Sequence, residues 1–381
     1  MRVFVYIIQQ KTDFVNDTSI YKQKRRIYFE QKSGGERVLL TGAKICDIIS
    51  PARKEVYKME LFEPIFNQML FLFTFIVIGF IFSKWKFVPD NSAGVLSKLE
   101  NLLFIPALVM GTFIKYCDPQ TLASVWQLLV MSLVLLAVFL PLSIVAAKLC
   151  FKENFLRNIA AYGLTFSNFA YMGNAIVSAL FPEIFFNYLV FTLPLWFVIY
   201  LWGAPVLLIL GSSDGEQKQT LSDRIKAFLN PMFVCMFVGL ILGLTGLNAY
   251  LPTSFVSVID AAGSCMSPVA MLLTGMVIGK CDVLKLLKKW RIYVLSAIKL
   301  FAYPLLYVLV FAFIPQSTFI SETFLICGMC FACMPVGLNA IVVPAAYGKD
   351  TSDAAGMALV SHLFSVISIP LMFMLFNLVV L

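Results

Sequence analysis

Apolar stretches of about twenty residues recur along this chain and constrain its fold more than any other feature. A bilayer has a hydrocarbon core about 30 Å thick, which a helix crosses with about 20 apolar residues. Hydrophobic residues make up 60% of the sequence and charged residues 13%, too little polar surface for a water-facing globule. The sequence therefore predicts an all-α polytopic membrane protein with ten transmembrane helices. The predicted spans, numbered 1 to 10, are 64–83, 95–114, 122–147, 160–181, 185–210, 231–248, 254–279, 291–314, 323–347 and 353–380.

Basic residues orient the predicted bundle. The loops after spans 1, 3, 5, 7 and 9 carry most of the Lys and Arg residues beyond Met59, whereas the opposite loops hold only Lys115. Lys and Arg concentrate on the cytoplasmic side of a membrane. We therefore expect both termini outside, in the cytoplasmic membrane. The longest loop, 211–230, is then cytoplasmic and separates a first half, 59–210, from a second half, 231–381.

Residues 1–58 differ from the rest of the chain. They carry 12 Lys and Arg against 6 Asp and Glu, so the net charge of this segment is +6 of the total +8, and no nucleic-acid partner is expected for the remainder. The codons for Lys54–Lys58 can spell a purine-rich ribosome-binding sequence just before Met59. A basic leader outside would also contradict the charge bias. We expect 1–58 to be a non-native leader, the alternative being a disordered cytoplasmic tail.

The two halves share short motifs in the same order, at offsets that drift slowly from 160 to 176 residues. Each half has five spans, an odd number, so the second half must enter the membrane in the opposite orientation. The sequence thus predicts a 5+5 inverted repeat, an architecture typical of secondary transporters. The matching motifs are Ile78–Ile81 with Val238–Ile241, Pro106 with Pro268, Pro141-Leu142 with Pro304-Leu305, Asn174–Val177 with Asn339–Val342, and Pro194-Leu195 with Pro370-Leu371.

Spans 4 and 9 are predicted to be broken helices that cross near the membrane midplane. Proline and glycine interrupt helices, and the half-helices created have partially positive N-termini that suit an anion and free carbonyls that suit a cation. We expect a substrate site here, with a candidate sodium site near Asn174 and Asn339; the alternative is that these amides only join helices. The predicted substrate-binding residues at the crossing are Asn168, Gly173, Asn174, Pro335, Gly337 and Asn339.

Two isolated ionisable residues lie inside predicted spans. Lys299 in span 8 is also assigned to the substrate site, where it neutralises a carboxylate or offsets charge at the crossing; the alternative is a structural pair or snorkelling. His362, the only histidine, is a coupling candidate, the alternative being a packing role. Glu100 and Asp260, near span ends, are expected to be interfacial.

Cysteines are not expected to hold a metal or a cofactor. Cys327, Cys330 and Cys333 are spaced by three in an apolar span, where small residues permit close helix packing. Gly239 and Gly243 form a similar helix-contact pattern.

Beyond Met59 the sequence resembles the auxin efflux carrier family, in its bacterial malate permease-like branch. The resemblance implies a ten-helix fold similar to bile acid sodium symporters, an elevator-like cycle and organic-anion substrates. It also implies crossover roles for Asn168, Gly173, Pro335 and Asn339. Ala175 stands where the family usually has proline, so span 4 is expected to be less sharply broken, and His362 stands where threonine is common. The motifs that carry the resemblance are Ser167-Asn168, Met172-Gly173, Leu229–Pro231, Ser267–Ala270 with Gly275, Met334-Pro335 through Asn339, Ala346–Asp350 and Ser365–Leu371.

Together these patterns predict a secondary transporter of a small organic anion, a malate-like carboxylate or an auxin-like acid. Coupling to sodium, to protons or to neither stays open, as do a bile acid-like substrate and a homodimer. An enzyme would need catalytic groups clustered at one depth, a primary pump would need a nucleotide-binding loop, and a receptor would need a larger soluble part. None of these features is recognised in the sequence.

Overall fold

The computed structural model describes residues 62–209, 229–346, 349 and 351–381, and the regular secondary structure in these ranges is helical apart from one isolated bridge. The expected leader, most of loop 211–230 and the motif residues Tyr347, Gly348 and Asp350 lie outside the described residues. The α-helices are Phe62–Lys84, Ser92–Leu99, Ile105–Tyr116, Pro119–Cys150, Asn154–Thr165, Asn174–Leu180, Phe185–Val198, Pro231–Thr245, Thr253–Ser264, Met266–Gly279, Val283–Leu287, Trp290–Ala297, Tyr303–Ala312, Glu322–Cys333, Asn339–Ala346 and Ser352–Val379.

Seven helical segments of the described chain are long and apolar enough to cross a membrane. They coincide with predicted spans 1, 2, 3, 5, 7, 8 and 10. Shorter apolar helices, Phe169–Leu180, Pro231–Thr245 and Glu322–Cys333, lie at the positions of spans 4, 6 and 9. The all-α polytopic prediction is confirmed, whereas the count of ten crossings and the inverted repeat stay predictions.

Spans 1 and 7 pack backbone against backbone. A methyl group on Gly79 would overlap the carbonyl of Leu272, and one on Gly275 would overlap the carbonyl of Ile76. Small residues allow such close approach between membrane helices, where dispersion contacts replace the hydrophobic effect as the driving force. These glycines therefore set the distance between the two spans.

Spans 2 and 6 form a second close pair. Gly239 faces the backbone of Met110, and Gly243 faces the carbonyl of Cys117, so the predicted helix contact of this glycine pair is confirmed. Spans 1, 2, 6 and 7 thus make one packed set, here called the four-span group. The other six spans pack together, with spans 3, 5, 8 and 10 around the interrupted spans 4 and 9. Span 10 also contacts span 1.

Two wide, π-helical turns precede prolines in the membrane. Glu100–Phe104 comes just before Pro106, and Ile298–Ala302 just before Pro304. A proline has no N–H and its ring clashes with the carbonyl four residues earlier, so the turn before it loosens. Each of these turns carries one buried residue of an acidic or basic type, Glu100 in the first and Lys299 in the second.

Candidate functional site

Spans 4 and 9 are both interrupted. In span 4 the first helix ends at Thr165, residues 166–168 are irregular, and a π-helical turn, Phe169–Gly173, leads into the second helix. In span 9 the first helix ends at Cys333 and the second begins at Asn339. The break in span 4 comes before Ala175, so it forms without a proline there. The stretch without α-helix covers 166–173 in span 4 and 334–338 in span 9, so the expectation that span 4 is less sharply broken stays a prediction.

The two interruptions contact each other, and this contact is called the crossing below. Ser167 and Val336 form an antiparallel bridge, and the Asn168 N–H donates to the Pro335 carbonyl at 2.8 Å. The Ser167 hydroxyl donates to the Phe331 carbonyl, also at 2.8 Å. A bilayer offers no water to unpaired backbone groups, so each broken helix supplies partners for the other.

Span 10 forms hydrogen bonds with the crossing through two neighbouring side chains, Ser361 and His362. The Ser361 hydroxyl accepts from the Val336 N–H at 3.2 Å. His362 is fully buried, and its Nδ1 lies 2.8 Å from the Ala358 carbonyl, which can only accept, so Nδ1 carries the proton. Nε2 lies 2.9 Å from the Asn168 side-chain nitrogen, which can only donate, so Nε2 accepts this hydrogen bond. The imidazole is therefore neutral and oriented.

This arrangement fixes the direction of the Asn168 amide. Its nitrogen is committed to His362, so its oxygen points the other way. That oxygen, Oδ1, is buried and has no hydrogen-bond partner among the residues the structure describes. An unpaired polar atom is costly inside a membrane protein, so its presence at the crossing calls for an explanation.

A narrow cavity lies at the crossing and is called the crossing cavity. Three of the predicted site residues line it: Asn168, Gly337 and Asn339. A Cβ atom on Gly337 would come within 2.8 Å of the Phe166 carbonyl, so only glycine permits this approach. The Tyr162 hydroxyl lies beside the Asn339 side chain without a well-aligned hydrogen bond. Other residues along the wall include Tyr171 and Trp196.

The remaining predicted residues lie close by without lining this cavity. Pro335 contributes its carbonyl to the crossing. Gly173 accommodates Tyr188, whose hydroxyl donates to the Phe169 carbonyl at 3.0 Å. Asn174 is buried at the start of the second helix of span 4. The candidate sodium site near Asn174 and Asn339 stays a prediction.

Lys299 is not among the residues that line the crossing cavity. Its side chain is 1% exposed, and Nζ lies 5.3 Å from the Tyr303 ring centroid and 5.6 Å from that of Phe331. Phe331 is the residue whose carbonyl receives the Ser167 hydroxyl. The lysine therefore flanks the last turn of the first helix of span 9, whose end carries partial negative charge.

The burial of Glu100 differs from what we expected from the sequence. We expected an interfacial residue, but Glu100 has no exposed surface. Span 2 begins at Ser92, earlier than predicted, which places Glu100 about 12 Å along the helix at 1.5 Å per residue. Asp260, by contrast, lies at the surface as expected, 2.7 Å from Lys115.

Sequence reasoning missed the aromatic wall of the cavity. Tyr162, Tyr171 and Trp196 belong to spans 4 and 5, and their polar atoms in apolar helices were the available signal. The three cysteines of span 9 are buried. Within the described ranges, no cluster of three or more His, Cys, Asp or Glu side chains has a metal-binding arrangement.

Comparison with known proteins agrees with this architecture. A sequence profile described as "Membrane transport protein" matches residues 64–373, from the first span into the last. A search of curated proteins gives no match. The profile covers well over half of the chain, so the shared ancestry extends through both broken helices. The chain is a multi-pass membrane protein that belongs to the membrane transport protein family, the auxin efflux carrier type of transporter.

Proposed function

We propose that this protein is a secondary transporter that moves a small organic anion across the cytoplasmic membrane by alternating access. The observation that carries the proposal is the crossing cavity, where two broken helices bring Asn168, Gly337 and Asn339 together in a chain of a transporter family. Broken helices near the midplane are where many secondary transporters bind substrate. An enzyme or a receptor has no comparable support.

The crossing cavity offers groups that complement a carboxylate with an additional hydrogen-bond donor. The second helix of span 9 begins at Asn339, and the partial positive charge at the start of a helix favours a carboxylate. Asn168 Oδ1 needs a donor from the ligand. A carboxylate that also carries a hydroxyl or N–H group satisfies both, so we favour a hydroxycarboxylate such as malate, with an indole acid as the second choice.

The position of Lys299 favours a role in which its charge supports anion binding without contact with the substrate. Its ammonium group lies over two aromatic rings rather than in the cavity. We propose that it offsets the negative end of the first helix of span 9, which lowers the cost of placing an anion nearby. The alternative prediction, direct contact with the substrate carboxylate, would require a rearrangement of this side chain.

The packing of the spans supports an elevator cycle. In the proposed repeat, span 1 corresponds to span 6 and span 2 to span 7, so the close pairs 1–7 and 2–6 are equivalent contacts. The four-span group would be the scaffold, and the six other spans, which hold the crossing, would be the moving part. We propose both termini outside and leave a homodimer as the expected assembly.

Reconstitution tests the function. The full chain in liposomes is adsorbed to a solid-supported membrane, and currents are recorded during jumps of malate and of succinate, which lacks the hydroxyl, with sodium and pH varied separately. We expect larger currents with malate, and their loss in Asn168→Ala. Asn91→Ala, at an exposed residue at the start of span 2, is the matched control. Absence of carboxylate currents from folded wild-type protein would contradict the substrate class.

A further inference from the structure

Glu100 is a buried carboxyl group without compensation. Among the residues that the structure describes, neither of its oxygens has a hydrogen-bond partner and no ion pair includes it. An ionised carboxylate in a membrane interior is costly unless it is paired or hydrated. In the arrangement seen here the side chain is therefore stable only when it carries a proton.

The surroundings of Glu100 contain no fixed cation. Its turn packs against span 6, against both helices of span 7, and near Tyr171 of span 4. On the same span, Lys98 is exposed and Lys115 is paired with Asp260. The other titratable groups on these elements are Cys235 of span 6 and Asp260 and Cys265 of span 7. None of these side chains supplies a positive charge to Glu100.

The location links this carboxyl group to the crossing cavity. Glu100 belongs to the four-span group, whereas Tyr171, which lies beside Asn101 and near Glu100, belongs to span 4 and lines the cavity. Glu100 thus lies where the proposed scaffold meets the proposed moving part. Relative movement of the two parts would change the access of water to this side chain.

We propose that Glu100 is a proton-binding site that couples transport to the pH gradient. The carboxyl group takes up a proton from water on one side of the membrane, keeps it while the interface is closed around it, and releases it to water on the other side when the interface opens there. Proton and anion then cross the membrane in one cycle, and no redox chemistry is involved. This inference rests on the proposed transport function, because a proton alone is not a transported substrate here.

Transport driven by a pH gradient tests the coupling. Proteoliposomes of the full chain hold equal malate concentrations on both sides, and a pH gradient is imposed. We expect wild-type protein to accumulate labelled malate on the alkaline side, and Glu100→Gln, which mimics the protonated acid, to exchange malate but accumulate none. Glu183→Gln makes the same change at an exposed position and should accumulate malate. Accumulation by Glu100→Gln, or accumulation driven by sodium alone, would overturn the proposal.

A second measurement needs no substrate. Infrared difference spectra at neutral pH, wild type minus Glu100→Gln, should show the carbonyl stretching band of a protonated carboxylic acid, absent from wild type minus Glu183→Gln. Without that band, the proton site is wrong even if malate is transported. With the band but no malate movement in any condition, the proposed function fails instead, and the coupling role fails with it.

Discussion

The side-chain nitrogen of Asn168 donates to Nε2 of His362 across 2.9 Å, and this bond joins span 4 to span 10. Nδ1 donates to the Ala358 carbonyl, and Nε2 accepts because the amide nitrogen that faces it can only donate. The amide cannot turn around without losing its partner. The histidine therefore fixes the direction of the Asn168 amide, whose oxygen is left without a partner among the described residues.

Replacing His362 by Leu should weaken substrate binding. The Asn168 amide would lose its acceptor, and an unsatisfied buried donor costs about 1–3 kcal/mol. We expect the KM for malate to rise about tenfold, equivalent to about 1.4 kcal/mol, while kcat changes less. Transport kinetics in proteoliposomes measure both constants.

Two further variants separate orientation from packing. His362→Gln restores an acceptor and should recover much of the affinity. Ser365→Ala removes a hydroxyl that bonds only to the backbone of its own helix, and should leave KM unchanged. Equal losses in all three variants would show that span 10 acts only through packing.

Replacing Lys299 by Met should lower anion transport without lowering folded yield. Methionine fills a similar volume between Tyr303 and Phe331 but carries no charge. The lost interaction with the negative end of the first helix of span 9 is worth about 0.3–2 kcal/mol, so we expect an initial rate about two- to thirtyfold lower. Lys98→Met at an exposed position is the control. Normal transport by Lys299→Met would refute a role for the charge.

Replacing Gly275 by Ala should destabilise the four-span group. The new methyl group would overlap the Ile76 carbonyl, and overpacking of this kind costs about 1–3 kcal/mol. We expect a lower unfolding temperature in detergent, measured by differential scanning fluorimetry. Gly94→Ala, where a Cβ meets no atom within 4 Å, makes the same change in open space. A lower unfolding temperature for Gly94→Ala as well would contradict the explanation by close packing.

Acidification should remove the contribution of Asp118 to stability. This exposed residue caps span 3, and hydrogen bonds from the Thr121 side chain and backbone lower the pKa of its carboxyl below the usual 3.8. A lowered pKa in the folded state stabilises the protein above the usual value, and the effect disappears as the pH falls below it. The difference in unfolding temperature between wild type and Asp118→Ala should therefore be largest near neutral pH and vanish in acid. A constant difference across this range would contradict a role for the ionised carboxylate.

Much of the fold could be predicted from the sequence because lipid imposes length and polarity on each helix separately. Pro335 and Gly337 also indicated the break in span 9, since both residue types disfavour a continuous helix. The burial of Glu100 and the bond between Asn168 and His362 were not predictable in this way. They depend on how each helix is rotated about its own axis, which neighbouring spans decide.

The mutual hydrogen bonding of the two interruptions has a consequence for biogenesis. Asn168 donates to Pro335, a residue 167 positions later in the chain. At a synthesis rate of roughly 5–20 residues per second, span 9 is made roughly ten to thirty seconds after span 4. During that interval the break in span 4 has no permanent partner. We therefore expect the newly made first half to stay near water or the insertion machinery until its counterpart is made.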